Sequence, residues 1–452
     1  MNKPKEMMGV VKCKDKNVVF HHRDYTFSFM SNEIPSLGES IRARLIEANQ
    51  EDGFVQCVTE NMDSLLFWTN NSKITMNQRL RTTLLISECN TIKHDDNFFD
   101  GISFIGGTLN KVYYQDAVQF DYLNDNQIVG NLKDDSRTYY INENSLQCTI
   151  TIRTRVLTNR SVNDGESITN NGVELSLFFK EKQKLSSLFD YYLCMKRILS
   201  FLCFRENVNF DSIHLLQNTE LHGHQLSLPI FEVFIPQEEN STQKNIMQNI
   251  CIPDLGESFS KLFCLFYNHN ENEPTFSLNF YPKSDEEASI MTTEKLRFIC
   301  SGLECELEHQ SLEKEKETEL ENLKDQIKSV IKEHRRKSTT LQPKTYEMMF
   351  GSIKNWSFSL NDKIIALYNK FKPEMEILIA NGEFIFLDEE KIGDFIKYRN
   401  KTTHGYNKEL TREIALTAHY LSGLVYLCLL ERIGVEQETR ERLCKENRII
   451  KY

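Results

Sequence analysis

The rhythm of apolar positions changes along this chain. Up to about residue 180, short runs rich in Val, Ile, Phe, Tyr and Thr are broken by Asn, Asp and Gly clusters, the pattern of half-buried strands. It predicts strands at Asn17 to Phe20, Tyr25 to Phe29, Phe54 to Val58, Thr82 to Ile86, Lys111 to Tyr114, Thr149 to Val156 and Val173 to Phe179. Turn signals fall at Glu51-Asp52-Gly53, Gly106-Gly107 and Asn170-Asn171-Gly172, where Gly supplies positive φ and Asn or Asp bonds its own backbone. An antiparallel sandwich or barrel is expected from this half.

From Leu185 to Phe204 the spacing shifts to three and four, through Leu185, Leu188, Phe189, Tyr192, Leu193, Ile198, Leu199 and Leu202, as on the buried side of a helix. Further strands are expected around Leu226 to Phe234 and Thr275 to Tyr281, with a polar loop from Pro236 to Lys244. After Tyr281-Pro282 the pattern is helical. Ser284 to Glu287 fits a capping box opening a long helix lined by Met291, Leu296, Ile299, Cys300 and Leu303. The charged stretch from Glu304 to Arg336 keeps Leu320, Leu323, Ile327 and Val330 in register, which fits an amphipathic helix on its own domain or a short coiled-coil seam. More helices are predicted over Tyr346 to Ile353, Leu360 to Phe371, Ile392 to His404 and Thr411 to Ile433, the last stopped by Gly434. The chain therefore reads as α+β. A β-rich domain at 1–182 is followed by a mixed continuation at 183–283 and a helical bundle at 284–452.

Composition narrows the function classes. At 452 residues the chain exceeds what one core usually supports. With 40% apolar and 26% charged residues it is an ordinary globular protein. No signal peptide is expected, and no stretch approaches the roughly 20 apolar residues that span a bilayer, so a cytoplasmic protein without membrane contact is expected. The 12 cysteines contain no C-x-x-C pair, which argues against a zinc ribbon or a disulfide framework. A net charge of −11 is the wrong sign for coating a nucleic acid, so any such contact must be local.

One run carries candidate chemistry: Lys397-Tyr398-Arg399-Asn400-Lys401-Thr402-Thr403-His404-Gly405. On a helix Asn400 and His404 share a face, while Arg399 lies about 140° from His404 and needs its length to converge. RNA can be cut without metal if one group takes the 2′-hydroxyl proton and others stabilise the phosphate charge and protonate the leaving 5′-oxygen. Histidine titrates near working pH, and arginine presents a charged fork to two oxygens. Between Lys391 and Arg412, six basic residues (Lys391, Lys397, Arg399, Lys401, Lys408, Arg412) face two acidic ones (Asp394, Glu409), a balance that attracts a polyanion. On spacing alone the run is also an ordinary basic helix end.

Arg399-Asn400-Lys401-Thr402-Thr403-His404-Gly405 resembles the R-N-x-x-x-H-G motif of HEPN domains, and it stands where that family has it, before an apolar final helix. Glu294 to Glu304 looks like the first helix of ApeA-like HEPN domains, in which a glutamate follows a leucine. The layout, with a strand-rich half first, is similar to ApeA-type abortive-infection proteins. The resemblance implies a homodimeric, metal-independent endoribonuclease without cofactor, leaving 2′,3′-cyclic phosphate and 5′-hydroxyl ends. Arg399 would bind the scissile phosphate, His404 would act as acid or base, and Asn400 would orient His404 or the ribose. Glu304 would be the first-helix acid, and Lys397, Lys401, Lys408 and Arg412 would draw in the RNA, transfer or messenger. The β-rich part would sense a phage-derived trigger. A second expectation is a silent HEPN module for dimerisation or nucleotide binding, with a β-rich domain that binds protein or carbohydrate.

Other clusters read more blandly. His222-Gly223-His224 is expected to be a turn rather than a metal site, and His21-His22-Arg23-Asp24 a surface loop. Cys300 and Cys305 are expected in the core, and His334-Arg335-Arg336-Lys337 at a solvated helix end or an extra RNA-binding edge.

Overall fold

The computed structural model describes residues 3–13, 16–30, 54–68, 73–75, 79–90, 97–114, 117–122, 128–143, 146–161, 165–221, 223–237, 248–268, 281–310, 314–337, 340–354, 359–382, 387–403 and 409–449. The chain divides into two compact units: Met1–Asn268 with Tyr281–Ser284, and the remainder, which includes Asp285–Tyr452. Antiparallel strands fill the first and helices the second, an α+β chain.

Strands of the first unit are β1 (Met7–Cys13), β2 (Lys16–Arg23), β3 (Thr26–Met30), β4 (Phe54–Thr59), β5 (Ser64–Trp68), β6 (Lys73–Thr75), β7 (Arg79–Arg81), β8 (Leu85–Glu88) and β9 (Phe98–Ile105). They continue with β10 (Val118–Tyr122), β11 (Ile128–Leu132), β12 (Arg137–Glu143), β13 (Leu146–Ser161), β14 (Gly165–Lys184), β15 (Ser212–Leu221) and β16 (His224–Phe234). One hydrogen-bonded order joins 14 of them, β12-β13-β14-β9-β15-β16-β8-β5-β4-β1-β2-β3-β7-β6, and β10-β11 form a separate hairpin. Two halves of this sheet bury their apolar residues differently. In the β1–β8 half the sheet rolls up: Phe27 of β3 stacks on Phe67 of β5 at 4.2 Å, although β2, β1 and β4 separate them in the ladder. Val11, Phe20, Val55, Leu65, Leu80 and Leu85 close the same core.

The other half is flatter, and its two faces can be read from register, because directly paired residues point to the same side. One row, Tyr139, Ile150, Leu177, Ile102, Leu215 and Phe231, is buried throughout. The adjacent row on the opposite face is polar: Thr138, Thr151, Ser176, Ser103, His214 and Glu232. Helices α1 (Leu188–Cys203), α2 (Ile252–Leu255) and α3 (Ser258–Tyr267) belong to this unit. Tyr191 of α1 packs on Phe179 at 4.7 Å, and Phe259 of α3 on Tyr139 at 5.0 Å, so the apolar side is the covered one. The predicted helix at 185–204 forms with Phe204 as a left-handed cap, φ 52°.

In the second unit the helices are α4 (Asp285–Ser289), α5 (Thr293–His309), α6 (Lys314–Lys337), α7 (Pro343–Lys354), α8 (Leu360–Lys370), α9 (Lys372–Asn381), α10 (Glu389–Thr403), α11 (Arg412–Arg432) and α12 (Gln437–Lys445). At the centre stands α11, packed against α5, α9, α10 and α12, with every residue from Tyr420 to Leu430 buried. Such a helix is apolar all round because it is surrounded. By length and composition it is also the one described helix that could cross a bilayer, but 78% of that window is buried by the protein itself. The expectation that no stretch reaches that length and apolarity is corrected to this extent.

Several local expectations are corrected. Lys111 to Tyr114 is not a strand, since a 3-10 turn at Gly107–Lys111 runs into bends there. The Thr82 to Ile86 strand starts only at Leu85. Asn170-Asn171-Gly172 lies inside β14 rather than at a turn. The helix expected from Ser284 is broken after α4, and α5 starts afresh where Thr292 accepts from the Lys295 amide at 3.2 Å. Along α6 the expected seam is not covered: Leu323 is 47% and Val330 66% exposed, while Lys324 is buried. His22 is no surface residue, being fully buried 4.7 Å from the Phe27 ring. The turn at Gly223 joins β15 to β16, and its φ of 80° explains the glycine. Residues Thr275 to Phe280, Glu51 to Gly53, His222 and Glu238 to Lys244 lie outside the described residues.

Candidate active site

Helix α10 buries Ile392, Phe395, Ile396, Tyr398 and Thr402 and so fixes where the intervening polar residues point. Arg399 lies one position past Tyr398, at the edge of the buried stripe, and its side chain is 25% exposed. Its Nη2 donates to Oε1 of Glu304 on α5 at 2.8 Å, and its Nη1 donates to Oδ1 of Asn400 at 3.2 Å. Arg399, Asn400 and Glu304, singled out from sequence, are thus brought together. Asn400 itself is exposed.

The last turn of α10 is held from several sides. Thr403 Oγ1 donates to the Arg399 carbonyl at 2.8 Å, and Thr402 Oγ1 donates to the Tyr398 carbonyl at 3.1 Å. From α5, the Arg297 guanidinium donates to the Thr402 carbonyl, one of the carbonyls a helix end leaves without an intrahelical donor. At the other end of the α5 contact, the Thr293 hydroxyl and the Tyr398 hydroxyl meet at 3.2 Å. Arg297 was not anticipated. The signal was present: Arg297, Cys300 and Glu304 recur at three and four, which places them on one side of a helix, but nothing local indicated that this side faces α10.

His404, Gly405 and Lys408 lie outside the described residues. Among the other predicted RNA contacts, Lys397 is exposed and paired with Asp394 at 3.1 Å. Lys401 and Arg412 are exposed, and neither has an ion-pair partner among the described residues. Lys391 pairs with Asp388 at 3.4 Å, so part of the positive balance is neutralised in place.

Two titratable neighbours are unsuited to proton transfer near neutral pH. Burial pushes the Cys300 thiol up to about 12, against the opposing pull of Arg399, so it stays protonated. His419, on α11, is held down to about 4 by burial and then by the Lys295 charge, so it stays neutral. Cys300 is buried as expected, whereas Cys305 is half-buried. His334 of the basic cluster meets the Tyr346 hydroxyl at 2.9 Å, and Arg335 lies over that ring, while Arg336 and Lys337 remain exposed. Among the described residues, no group of three or more His, Cys, Asp or Glu side chains is arranged to hold a metal ion.

No protein-family model, curated protein or solved structure matches the chain.

Proposed function

We propose that the chain is a metal-independent HEPN-type endoribonuclease of the ApeA-like kind, with its site at the end of α10. The observation that carries this reading is the ion pair between Arg399, the arginine of the R-N-x-x-x-H-G run, and Glu304, the acid expected on the first helix. A part-exposed guanidinium held in a fixed direction beside an exposed amide is suited to a phosphate oxygen. His404 takes the 2′-hydroxyl proton or delivers one to the 5′-oxygen; attack of the 2′-oxygen on phosphorus then leaves a 2′,3′-cyclic phosphate and a 5′-hydroxyl. Two copies of the helical unit facing each other would supply two arginines and two histidines to one linkage. Transfer or messenger RNA is the substrate class, and the β-rich unit senses the infection that releases the activity, in an abortive-infection role.

The test is incubation of the full-length protein with total RNA in EDTA. Cleavage that disappears in Arg399→Ala and His404→Ala, with folding and dimerisation intact, is the expected result. Loss of cutting in EDTA sinks the metal-independent chemistry, and absence of cutting under every activating condition sinks the enzyme reading.

A second reading is favoured by the same ion pair: an arginine already engaged by a glutamate can be purely structural, in a silent dimerisation or nucleotide-binding module. Glu304→Gln separates the two. It frees Arg399 and alters cleavage in an enzyme, but changes only stability in a module.

A further inference from the structure

On the polar face of the flat half of the sheet lies a cleft of about 580 Å³, within the size range of small-molecule sites. An open antiparallel sheet often turns a polar face to water, so polarity alone would carry nothing. This face is built differently. At its centre Ser103 and Ser176 are 1% and 5% exposed, and the Ser176 hydroxyl donates to Ser103 Oγ at 3.1 Å. Ser103 in turn donates to Oε1 of Glu174 at 2.8 Å, and Arg153 Nη2 donates to the other carboxylate oxygen at 3.3 Å. The Glu174 carboxylate is therefore spent on its neighbours.

Arg155 is left over. No hydrogen bond or ion pair joins its guanidinium to a described residue, although it lines the cleft beside His214. The ladder explains why it points there. Between Thr154↔Val173 and Val156↔Asn170 the register shifts, so that Asn171 and Gly172 of β14 oppose Arg155 alone. Gly172 has φ 89°, a left-handed value that glycine adopts without strain. On the far side of the cleft, a second irregularity in β15–β16 places Leu216 opposite Pro229 and leaves Ile230 unpaired. Bulges bend a sheet and re-aim side chains, and two of them flank one concavity.

We infer that this cleft binds a small phosphate monoester, with the phosphate on Arg155 and His214 and the body of the ligand over Phe178. Two arginines and one glutamate line the cleft; Arg153 is turned to Glu174 and Glu232 lies opposite His214 outside the lining, so Arg155 is the charge left facing the cleft. The Arg155 fork can take two oxygens of one phosphate. Burial lowers the His214 pKa, with the Arg155 charge acting in the same direction and Glu232 and Glu174 opposing, so its neutral ring offers one donor and one acceptor. Half-buried Phe178, with Leu216 and Pro229, supplies an apolar surface for a planar or hydrocarbon body. A nucleotide and a sugar phosphate share this chemistry.

Calorimetric titration of the full-length protein with AMP, ribose 5-phosphate, adenosine and inorganic phosphate tests the site. AMP is expected to bind, with adenosine weaker by at least about tenfold. Ribose 5-phosphate matching AMP assigns the site to sugar phosphates generally, and a preference for AMP assigns a base to Phe178. Arg155→Gln, and independently His214→Gln, are expected to weaken AMP by about tenfold or more at unchanged melting temperature. Arg399→Ala is expected to leave it unaltered, which separates this cleft from the end of α10. The inference is overturned if no phosphorylated probe binds below about 1 mM, if inorganic phosphate binds as well as AMP, or if Arg155→Gln binds AMP like the wild type.

Discussion

Between α9 and α12, the Glu374 and Arg440 side chains are 2% and 9% exposed and meet at 3.0 Å, whereas between α5 and α10, those of Glu304 and Arg399 are 39% and 25% exposed and meet at 2.8 Å. The distances are alike and the consequences are not. In the inner pair, Arg440 Nε donates to Glu374 and Nη1 to the Val435 carbonyl, and the guanidinium lies over the Phe371 ring. Removing one partner there strands a buried charge. At the outer pair water shares the charges, so the net contribution is about 1 kcal/mol or less. An arginine held this lightly is aimed without being trapped, and a phosphate can compete for it. A third pair is badly made: Glu306 is fully buried, its nearest cation, Arg432, stands 3.7 Å away, and neither carboxylate oxygen has a hydrogen-bond partner.

The widest separation between inner and outer pairs is expected from Arg399→Ala and His404→Ala. RNA cleavage should fall by about 10³-fold or more, on the order of 4 kcal/mol in barrier, while urea unfolding shifts by under about 1 kcal/mol. A variant that unfolds as readily as it loses activity would erase the contrast. Glu374→Ala should do the reverse, costing about 3 to 5 kcal/mol in stability and leaving cleavage per folded molecule unchanged, as measured by denaturant titration beside the RNA assay.

Glu306 gives a pH-dependent version of the same contrast. Burial pushes its carboxyl up to about 7, partly opposed by Arg432, so between its ordinary value of 4.5 and about 7 the folded state binds more protons than the unfolded. Its contribution to stability is therefore greatest below that window, falls as pH rises through it and is flat above. The total is on the order of 3 kcal/mol. Glu306→Gln should flatten that part of the stability profile, and a profile identical to the wild type would contradict the assignment. The smallest effect is expected from Glu304→Gln, with stability changed by under about 1 kcal/mol and cleavage reduced about tenfold through loss of positioning. If cleavage is untouched, the outer pair is structural.

Much of the architecture was legible in local spacing. Strands such as Phe54 to Val58 and Val173 to Phe179, and helices such as α1 and α11, follow from period and caps, with Thr411 accepting from the Ile414 amide at 3.4 Å as the N-cap of α11. The errors share a cause. Asn170-Asn171-Gly172 reads as a turn because its residues favour positive φ, and Gly172 does adopt it, but β13 pairs with Asn170 on one side and Val173 on the other and keeps the strand continuous through a bulge. Lys111 to Tyr114 has strand-forming residues, yet the close approach at Gly107, where a Cβ would meet the Asn209 carbonyl at 2.5 Å, commits the segment to a tight turn. Helix α9 is not among the helices expected from the spacing; Pro373 sits in its first turn, where its lack of an N–H is harmless.

By itself the sequence determined which side chains are candidates for chemistry and which periods they ride on, because hydrophobic spacing, capping and turn preference act over a few residues. Only the tertiary structure decided that Glu304 reaches Arg399 across 95 positions, that Arg297 caps the end of α10, and that Arg155 is turned into a cleft by a bulge. Those pairings depend on which helix faces pack and how strands register, and that is set by the burial of the whole core rather than by any local run.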